Sequence, residues 1–181
     1  MIQIQGRDTC VKGLVWGGFN AHEDHRGNFI KLFNNDFYKA NLSPFCPEEM
    51  FMSSSVKGVL RGMHYQTGEF AHNKLVICVS GTIRDVVVDL RSGDNFGAVW
   101  SSILAPEETQ WVYVPIGCAH GFQVLSETAT MLYCVDRVYS PLHDKGVLWD
   151  SIDFKWDILP PILSDRDKSH LTLNDHKAGV L

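Results

Sequence analysis

The 181-residue sequence has no long hydrophobic run and no excess of positive charge. No stretch approaches the roughly 18 uninterrupted apolar residues that a membrane-spanning helix needs. The first residues lack the basic, apolar and small-residue order of a secretion signal, so we expect a cytoplasmic protein. Acidic residues outnumber basic ones by 21 to 16, and no Lys/Arg run could neutralise successive phosphates. We therefore expect neither a membrane nor a nucleic acid as partner.

Paired cysteines are also missing. The sequence has an odd number of cysteines, far apart and without any Cys-x-x-Cys pair: Cys10, Cys46, Cys78, Cys118 and Cys134. This spacing is not typical of zinc sites or of redox-active pairs, so reduced, buried thiols are expected. Repeats, low-complexity tracts and flexible linkers are absent as well, and residues 1–181 are predicted to form one domain.

Most of the chain has the pattern of short β-strands separated by Gly, Pro and Asn turns. The predicted strands are residues 74–80, 82–90, 98–104, 110–114, 121–125 and 129–139. Gly81 is a natural turn residue between the first two, which predicts a hairpin. One short helix is predicted at residues 35–41, where Asn34 or Asn35 could cap it and Pro44 prevents continuation. Another helical turn is expected after Pro160. The pattern indicates an all-β sandwich or barrel with short peripheral helices.

Two segments, residues 58–66 and 115–122, carry histidines in turn-rich surroundings. The second resembles the later motif of the cupin superfamily, Pro-x-Gly-x-x-His, which aims its histidine into a β-barrel. Metal-binding cupins have His-x-His and a glutamate in the first motif, whereas this chain has His64-Tyr-Gln66 and no carboxylate before Glu69. At most His64, Gln66 and His120 remain as ligands. Because stable sites need three good donors with fixed surroundings, no metal is expected.

A larger set of motifs, spread over residues 10–168, resembles the dTDP-4-dehydrorhamnose 3,5-epimerase family. The motifs are Asp24-x-Arg26-Gly27-x-Phe29, Arg61-Gly-Met-His64-Tyr-Gln66, Lys74-Leu-Val, Asp85-Val-Val-Val-Asp89-Leu-Arg91, Phe96-Gly, Pro115-x-Gly-x-Ala-His120-Gly-Phe122, Tyr133 with Tyr139-x-Pro141, and Leu163-Ser-Asp165. The resemblance implies a cupin-type jelly roll, also called a double-stranded β-helix barrel. It further implies a homodimer with residues 1–50 in the interface, no metal or other cofactor, and an isomerase of deoxysugar or polysaccharide biosynthesis. The implied reaction is epimerisation at C3, C5 or both of a nucleotide-linked 4-keto-6-deoxyhexose.

The residue types suit that reaction on chemical grounds. A carbon beside a ketone loses its proton only if a base is held against it while the enolate oxygen is stabilised. His64 suits the base, because neutral imidazole is available near pH 7. The resemblance implies that Asp165, from the C-terminal segment 155–181, orients His64 and that Lys74 lies by the enolate oxygen. It also implies that Tyr133 returns a proton on the opposite ring face.

The resemblance assigns further residues to substrate binding. Arg26 and Arg61 match residues that hold the diphosphate, for which a planar guanidinium is suited. His120 matches a pocket residue, with Asp85 as its candidate partner. The remaining expected contacts are Phe29, Lys31, Glu49, Gln66, Tyr139, Asp144 and Arg166.

The sequence departs from the family pattern among these binding positions. Lys31 stands where the family typically has glutamate, and Glu49-Met-Phe51 stands where Gln-x-Asn is common. The catalytic set is kept while the recognition set is altered, so the sugar and the nucleotide base stay open. Three alternatives also remain: a metal-dependent cupin using His64, Gln66 and His120, a metal-free 3,4-ketoisomerase of the same fold, and a sugar-binding barrel without catalysis.

Overall fold

The computed structural model describes residues 2–8, 10–42, 45–107 and 110–176, and most of its regular structure is β-strand. The strands are β1 Ile2–Arg7, β2 Val15–Phe19, β3 His22–Asp24, β4 Gly27–Phe29, β5 Glu49–Val56, β6 Leu60–Gln66, β7 Lys74–Ser80, β8 Ile83–Asp89, β9 Val99–Leu104, β10 Trp111–Val114, β11 Cys118–Val124, β12 Thr128–Val135 and β13 Asp144–Gly146. The helices are α1 Asn35–Asn41 and α2 Asp165–Lys168, with single 3₁₀ turns at Gly68–Phe70 and Leu173–Asp175. None of the helices in these ranges has the length and apolar character to span a bilayer.

The strands form two main antiparallel sheets. One has six strands in the order β1-β2-β10-β7-β12-β5, and the other has five in the order β13-β6-β11-β8-β9. Both sheets contribute to one buried cluster, which contains Val76 and Val112 of the first and Val87 and Phe122 of the second. The sheets therefore face each other across a shared apolar core, and the all-β prediction is confirmed.

The predicted strands match the observed ones closely, but the predicted hairpin is wrong. Residues 74–80 are β7 as expected, whereas the strand predicted at 129–139 ends at Val135. β7 pairs with β10 and β12, while β8 pairs with β11 and β9, so Gly81 carries the chain from one sheet to the other. Gly81 has a φ of +80°, and a Cβ there would lie 2.2 Å from the Thr128 carbonyl oxygen. This crossing therefore requires glycine.

The five cysteines are free thiols, as expected, but only three of them are buried. Cys78, Cys118 and Cys134 lie in the sheets, whereas Cys10 and Cys46 are exposed. The expectation of buried thiols is thus wrong for the two cysteines that lie outside the strands.

The peripheral helices follow local capping signals. The Asn34 side chain accepts a hydrogen bond of 3.0 Å from the Phe37 N–H, which starts α1. Tyr38 is fully buried in a second cluster on the outer face of the six-stranded sheet, with its ring centroid 6.1 Å from that of Trp111. Pro44, expected to stop this helix, lies outside the described residues. The helical turn expected after Pro160 is present as α2, which contacts β6 of the five-stranded sheet.

Candidate active site

The two histidine segments become neighbouring strands. β6 and β11 pair antiparallel, and the Cα atoms of His64 and His120 are direct partners. The register shifts between His120 and Phe122, where the glycines of the two motifs meet. Gly62 has a φ of +138°, and a Cβ on it would lie 2.5 Å from the Gly121 Cα. The glycines therefore allow an approach of the two strands that no other residue permits.

A cavity of about 310 Å³ opens beside these histidines and is lined by both sheets. The structure brings most of the expected site residues to it: Glu49, Arg61, His64, Gln66, Lys74, His120, Tyr133, Tyr139, Asp144 and Arg166. His64 comes from the five-stranded sheet, whereas Lys74 and Tyr133 come from the six-stranded sheet. Groups from opposite walls thus reach a single space.

The carboxylate that orients His64 is Asp167, and the expectation of Asp165 is wrong. The Nε2 of His64 lies 2.7 Å from Asp167 Oδ1. Asp165 is fully exposed and its carboxylate instead contacts Lys168 at 3.1 Å. An Nε2–H donated to Asp167 leaves Nδ1 of His64 with the lone pair that a base requires.

Helix α2 explains why the second of these aspartates, and not the first, reaches His64. The Ser164 hydroxyl caps the helix by accepting from the Asp167 N–H at 3.1 Å. Leu163 lies just before this cap and packs against the core cluster under the five-stranded sheet, which fixes the start of α2 beside β6. Asp167 is buried on the side of α2 that contacts His64, whereas Asp165 is exposed, and no local sequence signal separates the two.

Burial sets the protonation behaviour of the polar groups in the cavity. It lowers the pKa of His64, and the contact with Asp167 opposes that shift. Burial raises the pKa of Asp167, but contacts with His170 and His64 outweigh it and hold that pKa below its usual value. Burial also lowers the pKa of Lys74 to about 8, against the attraction of Asp144 and Asp85. At neutral pH the site thus combines an ionised Asp167, a neutral imidazole and a charged ammonium.

Tyr133 is held in a protonated state on the wall formed by β12. Burial raises the pKa of its phenol well above the usual value, and a contact with Ser53 opposes that shift. The Ser53 and Tyr133 hydroxyl oxygens are 3.1 Å apart. The Phe51 ring stacks on Tyr133 with centroids 4.8 Å apart and planes inclined by 16°. A phenol fixed in this way is available as a proton donor.

His120 forms a second, fully buried pair with a carboxylate. Its Nε2 lies 2.8 Å from Asp85 Oδ2, as expected for its candidate partner. This contact occupies one ring nitrogen, and the Gln66 Oε1 accepts from the Ser140 N–H at 2.6 Å. With His64 held by Asp167, each of the three donors in the alternative metal site thus has an atom engaged with a protein group.

A model of the family described as dTDP-4-dehydrorhamnose 3,5-epimerase matches residues 8–175. The chain belongs to this family. It is 38% identical over 150 residues to the dTDP-4-dehydrorhamnose 3,5-epimerase of Shigella flexneri, covering 80% of this chain and 82% of that one.

Solved structures agree with this family over nearly the whole chain. A 4-keto-6-deoxy sugar epimerase of the novobiocin biosynthetic gene cluster of Streptomyces spheroides superposes with a TM-score of 0.88 at 31% identity, covering 97% of this chain and 89% of that one. The dTDP-6-deoxy-D-glucose-3,5-epimerase of Legionella pneumophila, in complex with dTDP-4-keto-L-rhamnose, gives 0.88 at 30% identity, with 96% and 94% covered. The cupin-type jelly-roll prediction is confirmed, and the chain is an isomerase of the epimerase type.

In this epimerase a polar rim surrounds the cavity mouth. Arg166 Nη2 lies 2.6 Å from Asp144 Oδ2, and the Tyr139 hydroxyl donates to the same oxygen at 3.2 Å. Glu49, where the family commonly has glutamine, accepts from the Tyr139 N–H at 2.6 Å. Because a glutamine oxygen could accept the same bond, the altered residue keeps this structural contact and adds a negative charge to the rim.

Three expected substrate contacts of the epimerase are not at the cavity of this chain. Arg26 and Phe29 belong to the exposed hairpin β3–β4, and Lys31 is exposed just after it. Arg26 is paired with Asp24 at 2.6 Å. None of the three is among the residues that line the cavity.

Several lining residues were missed from the sequence. His72 is the clearest, because its Nδ1 lies 3.0 Å from the Gln66 amide nitrogen and its Nε2 is buried. Burial lowers the pKa of His72 to about 3, with a further contribution from Lys74, so it is neutral. Arg137 and Ser53 also line the cavity. The only sequence signal for these residues was that each lies close in the chain to one of the family motifs.

Proposed function

We propose that this protein inverts C3, C5 or both of a nucleotide-linked 4-keto-6-deoxyhexose, with His64 as base and Tyr133 as acid. The observation that carries the proposal is that His64, which is paired with Asp167, and Tyr133 belong to opposite sheets yet line the same cavity. Inversion needs a base and an acid on the two faces of the sugar ring, whereas a base alone only exchanges the proton.

The proposed sequence of steps uses only the chain's own groups. Nδ1 of His64 takes the proton from the carbon beside the ketone, and Asp167 stabilises the imidazolium that results. The Lys74 ammonium faces the enolate oxygen, where a charge in a site with little water contributes several kcal/mol. The Tyr133 hydroxyl then protonates the carbon from the other side and recovers a proton from solvent, while His64 releases its proton to solvent.

The substrate class rests on the cavity's charges and on the relatives. Arg61 and Arg166 are the cationic side chains that line the cavity beside Lys74 and Arg137, and guanidinium groups suit a diphosphate. The Legionella relative holds dTDP-4-keto-L-rhamnose. We propose a nucleotide diphosphate sugar as substrate. We also propose a homodimer as the assembly, in which Arg26 and Phe29 of the exposed hairpin, together with Lys31 just after it, approach the site of the partner.

Proton NMR in D₂O tests the proposed reaction directly. With a nucleotide 4-keto-6-deoxyhexose and the wild-type protein, we expect loss of the C3 or C5 proton signal together with an inverted product. The His64→Asn variant should show neither change, while a Tyr133→Phe variant should keep more exchange than inversion. A product with its carbonyl moved to C3 would instead identify a ketoisomerase, and no exchange at all would identify a sugar-binding barrel.

Titration with dTDP, CDP, GDP and UDP addresses the nucleotide. The altered residues Lys31, Glu49 and Phe51 are the reason to test all four bases. A clear preference for dTDP would show that these changes leave base recognition as in the relatives. The reversions Glu49→Gln and Phe51→Asn then report whether either residue selects the sugar.

A further inference from the structure

Three metal-binding atoms converge on the side of His64 that faces away from its proposed lone pair. Nε2 of His64 lies 2.7 Å from Asp167 Oδ1, and Nε2 of His170 lies 3.4 Å from the same oxygen. All three ligand atoms lie within 4.8 Å of one another. We propose that His64, Asp167 and His170 form an inhibitory zinc site, which holds Zn²⁺ or a similar nitrogen-preferring ion and switches off the base.

The spacing is close to what a tetrahedral zinc ion requires. With Zn–N bonds of about 2.0–2.1 Å, neighbouring ligand atoms are roughly 3.3 Å apart and two imidazole centroids are about 5 Å apart. The His170 distance of 3.4 Å and the His64–His170 centroid distance of 5.5 Å fit these values. The 2.7 Å contact of His64 with Asp167 must widen by about half an ångström, and the two histidine ligand atoms, which lie within 4.8 Å of each other, must settle at roughly 3.3 Å.

His170 is held in this position by its packing on β13. Its side chain is 10% exposed, and its buried Nε2 approaches Asp167 Oδ1 at 3.4 Å without the geometry of a well-formed hydrogen bond. A Cβ on Gly146 of β13 would lie 2.3 Å from that nitrogen, so glycine makes the room that the ring occupies. A buried nitrogen with only this long contact is poorly satisfied, and a metal ion bound between His170 and Asp167 would satisfy it.

Metal binding here would abolish the base without filling the sugar cavity. Zinc bound to Nε2 of His64 replaces the hydrogen that this nitrogen donates to Asp167. The proton of the neutral imidazole then resides on Nδ1, so no lone pair is left to attack the substrate. We therefore expect zinc to lower kcat while the nucleotide still binds.

Cobalt and zinc titrations of chelator-treated protein test the site independently of turnover. We expect one Co²⁺ per chain with the intense visible absorption of a four-coordinate complex, and its displacement by Zn²⁺ followed by calorimetry. His170→Asn should weaken zinc binding by at least about 100-fold. His22→Asn removes an exposed histidine next to Glu23 and Asp24, and this matched control should bind zinc as the wild type does.

Two further arms separate this site from the proposed reaction and from misfolding. Asp167→Asn, which leaves the packing of His170 on Gly146 untouched, should also weaken zinc binding. With dTDP bound, the zinc affinity should stay within about twofold, since the two occupy different sides of His64. Wild-type zinc affinity in both variants, a six-coordinate Co²⁺ spectrum, or displacement of zinc by dTDP would each overturn the proposal, whatever the enzymatic activity.

Discussion

Asp165 and Asp167 lie two residues apart but in opposite surroundings. Asp167 is buried against His64, whereas Asp165 is fully exposed beside Lys168. Asp167→Asn removes the charge that stabilises the imidazolium, so we expect kcat to fall by about 10²- to 10⁴-fold. Asp165→Asn should leave kcat within about twofold, since an exposed ion pair contributes little. Steady-state kinetics of the two variants shows which aspartate supports the reaction. An equal fall in kcat for both variants would mean that Asp167 does not act through His64.

The lowered pKa of Lys74 predicts that activity falls at alkaline pH. Its ammonium is charged below a pKa of about 8 and neutral above it. Because only the charged form stabilises the enolate, kcat/KM should decline as the pH rises through about 8. The pKa of Tyr133 is raised, so the loss of its proton cannot produce this decline.

Replacing Lys74 by arginine provides the control for that assignment. An arginine stays charged at every accessible pH, so Lys74→Arg should shift the alkaline limb of the pH profile upward, whatever its effect on the maximal rate. A limb at unchanged pH in this variant would assign the decline to another group.

At the level of elements, the cap of α2 positions the carboxylate that contacts His64. Ser164→Ala removes the acceptor for the Asp167 N–H and should cost about 0.5–2 kcal/mol of stability. If Asp167 is held less firmly and the transition state loses about 1 kcal/mol of stabilisation, kcat falls roughly fivefold.

The 3₁₀ turn at Leu173–Asp175 offers a matched control for this prediction. Thr172 caps it with reciprocal hydrogen bonds to Asp175, and Thr172 does not contact Asp167 or line the cavity. Thr172→Ala should therefore cost comparable stability while kcat is kept. Thermal unfolding and kinetics together test the pair, and a similar drop in kcat for both caps would refute the positioning role of Ser164.

The close approach of β6 and β11 allows a second comparison of elements. Gly62→Ala places a Cβ 2.5 Å from the Gly121 Cα, whereas Gly93 has a similar φ of +125° with nothing within 4 Å of an added Cβ. Both substitutions strain the backbone, but only the first also forces two strands apart. We expect Gly62→Ala to be the more destabilising by about 1–3 kcal/mol, measured by denaturant unfolding. An equal loss of unfolding free energy in both variants would show that the positive φ alone explains the need for glycine at position 62.

The sequence predicts where strands and helices lie better than it predicts which strands and side chains they contact. Residues 74–80 and 35–41 were located correctly because strand alternation, apolar runs and a capping asparagine are local signals. The hairpin at Gly81 failed because pairing depends on which sheet the next strand joins, and a turn residue does not specify that. Asp167 was missed for a similar reason, since two aspartates in one short helix differ only in the face they present. His64, Lys74 and Tyr133 were placed by family motifs, and their meeting in one cavity required the fold.

For the whole molecule, the two sheets divide the proposed chemistry between them. The base and its carboxylate belong to the five-stranded side, and Tyr133 and Lys74 belong to the six-stranded sheet. The distance between acid and base is therefore set by the packing of the core between the sheets. Because such cores are densely packed, the two groups are held in fixed positions before the substrate binds.

The six-stranded sheet ends in an edge strand, β5, with an exposed apolar face. Met50, Met52 and Val56 alternate along it and are 58%, 65% and 56% exposed. An unpaired apolar edge of this kind is a ready surface for association between chains. It also carries Glu49 and Phe51 on the cavity side, so association here would bear directly on the site.

We predict that β5 contributes to a homodimer and that Met52→Lys weakens it, because burying an unpaired ammonium in an apolar interface is unfavourable. Sedimentation should give twice the chain mass of 20.4 kDa for the wild type and a shift toward the monomer for the variant. Leu159→Lys, at a residue 63% exposed that lies outside β5, should leave the mass unchanged. If the dimer completes the site, Met52→Lys should also raise KM at low protein concentration and recover as the concentration increases. A wild-type monomer that is fully active at all concentrations would contradict both the assembly and its role at the cavity.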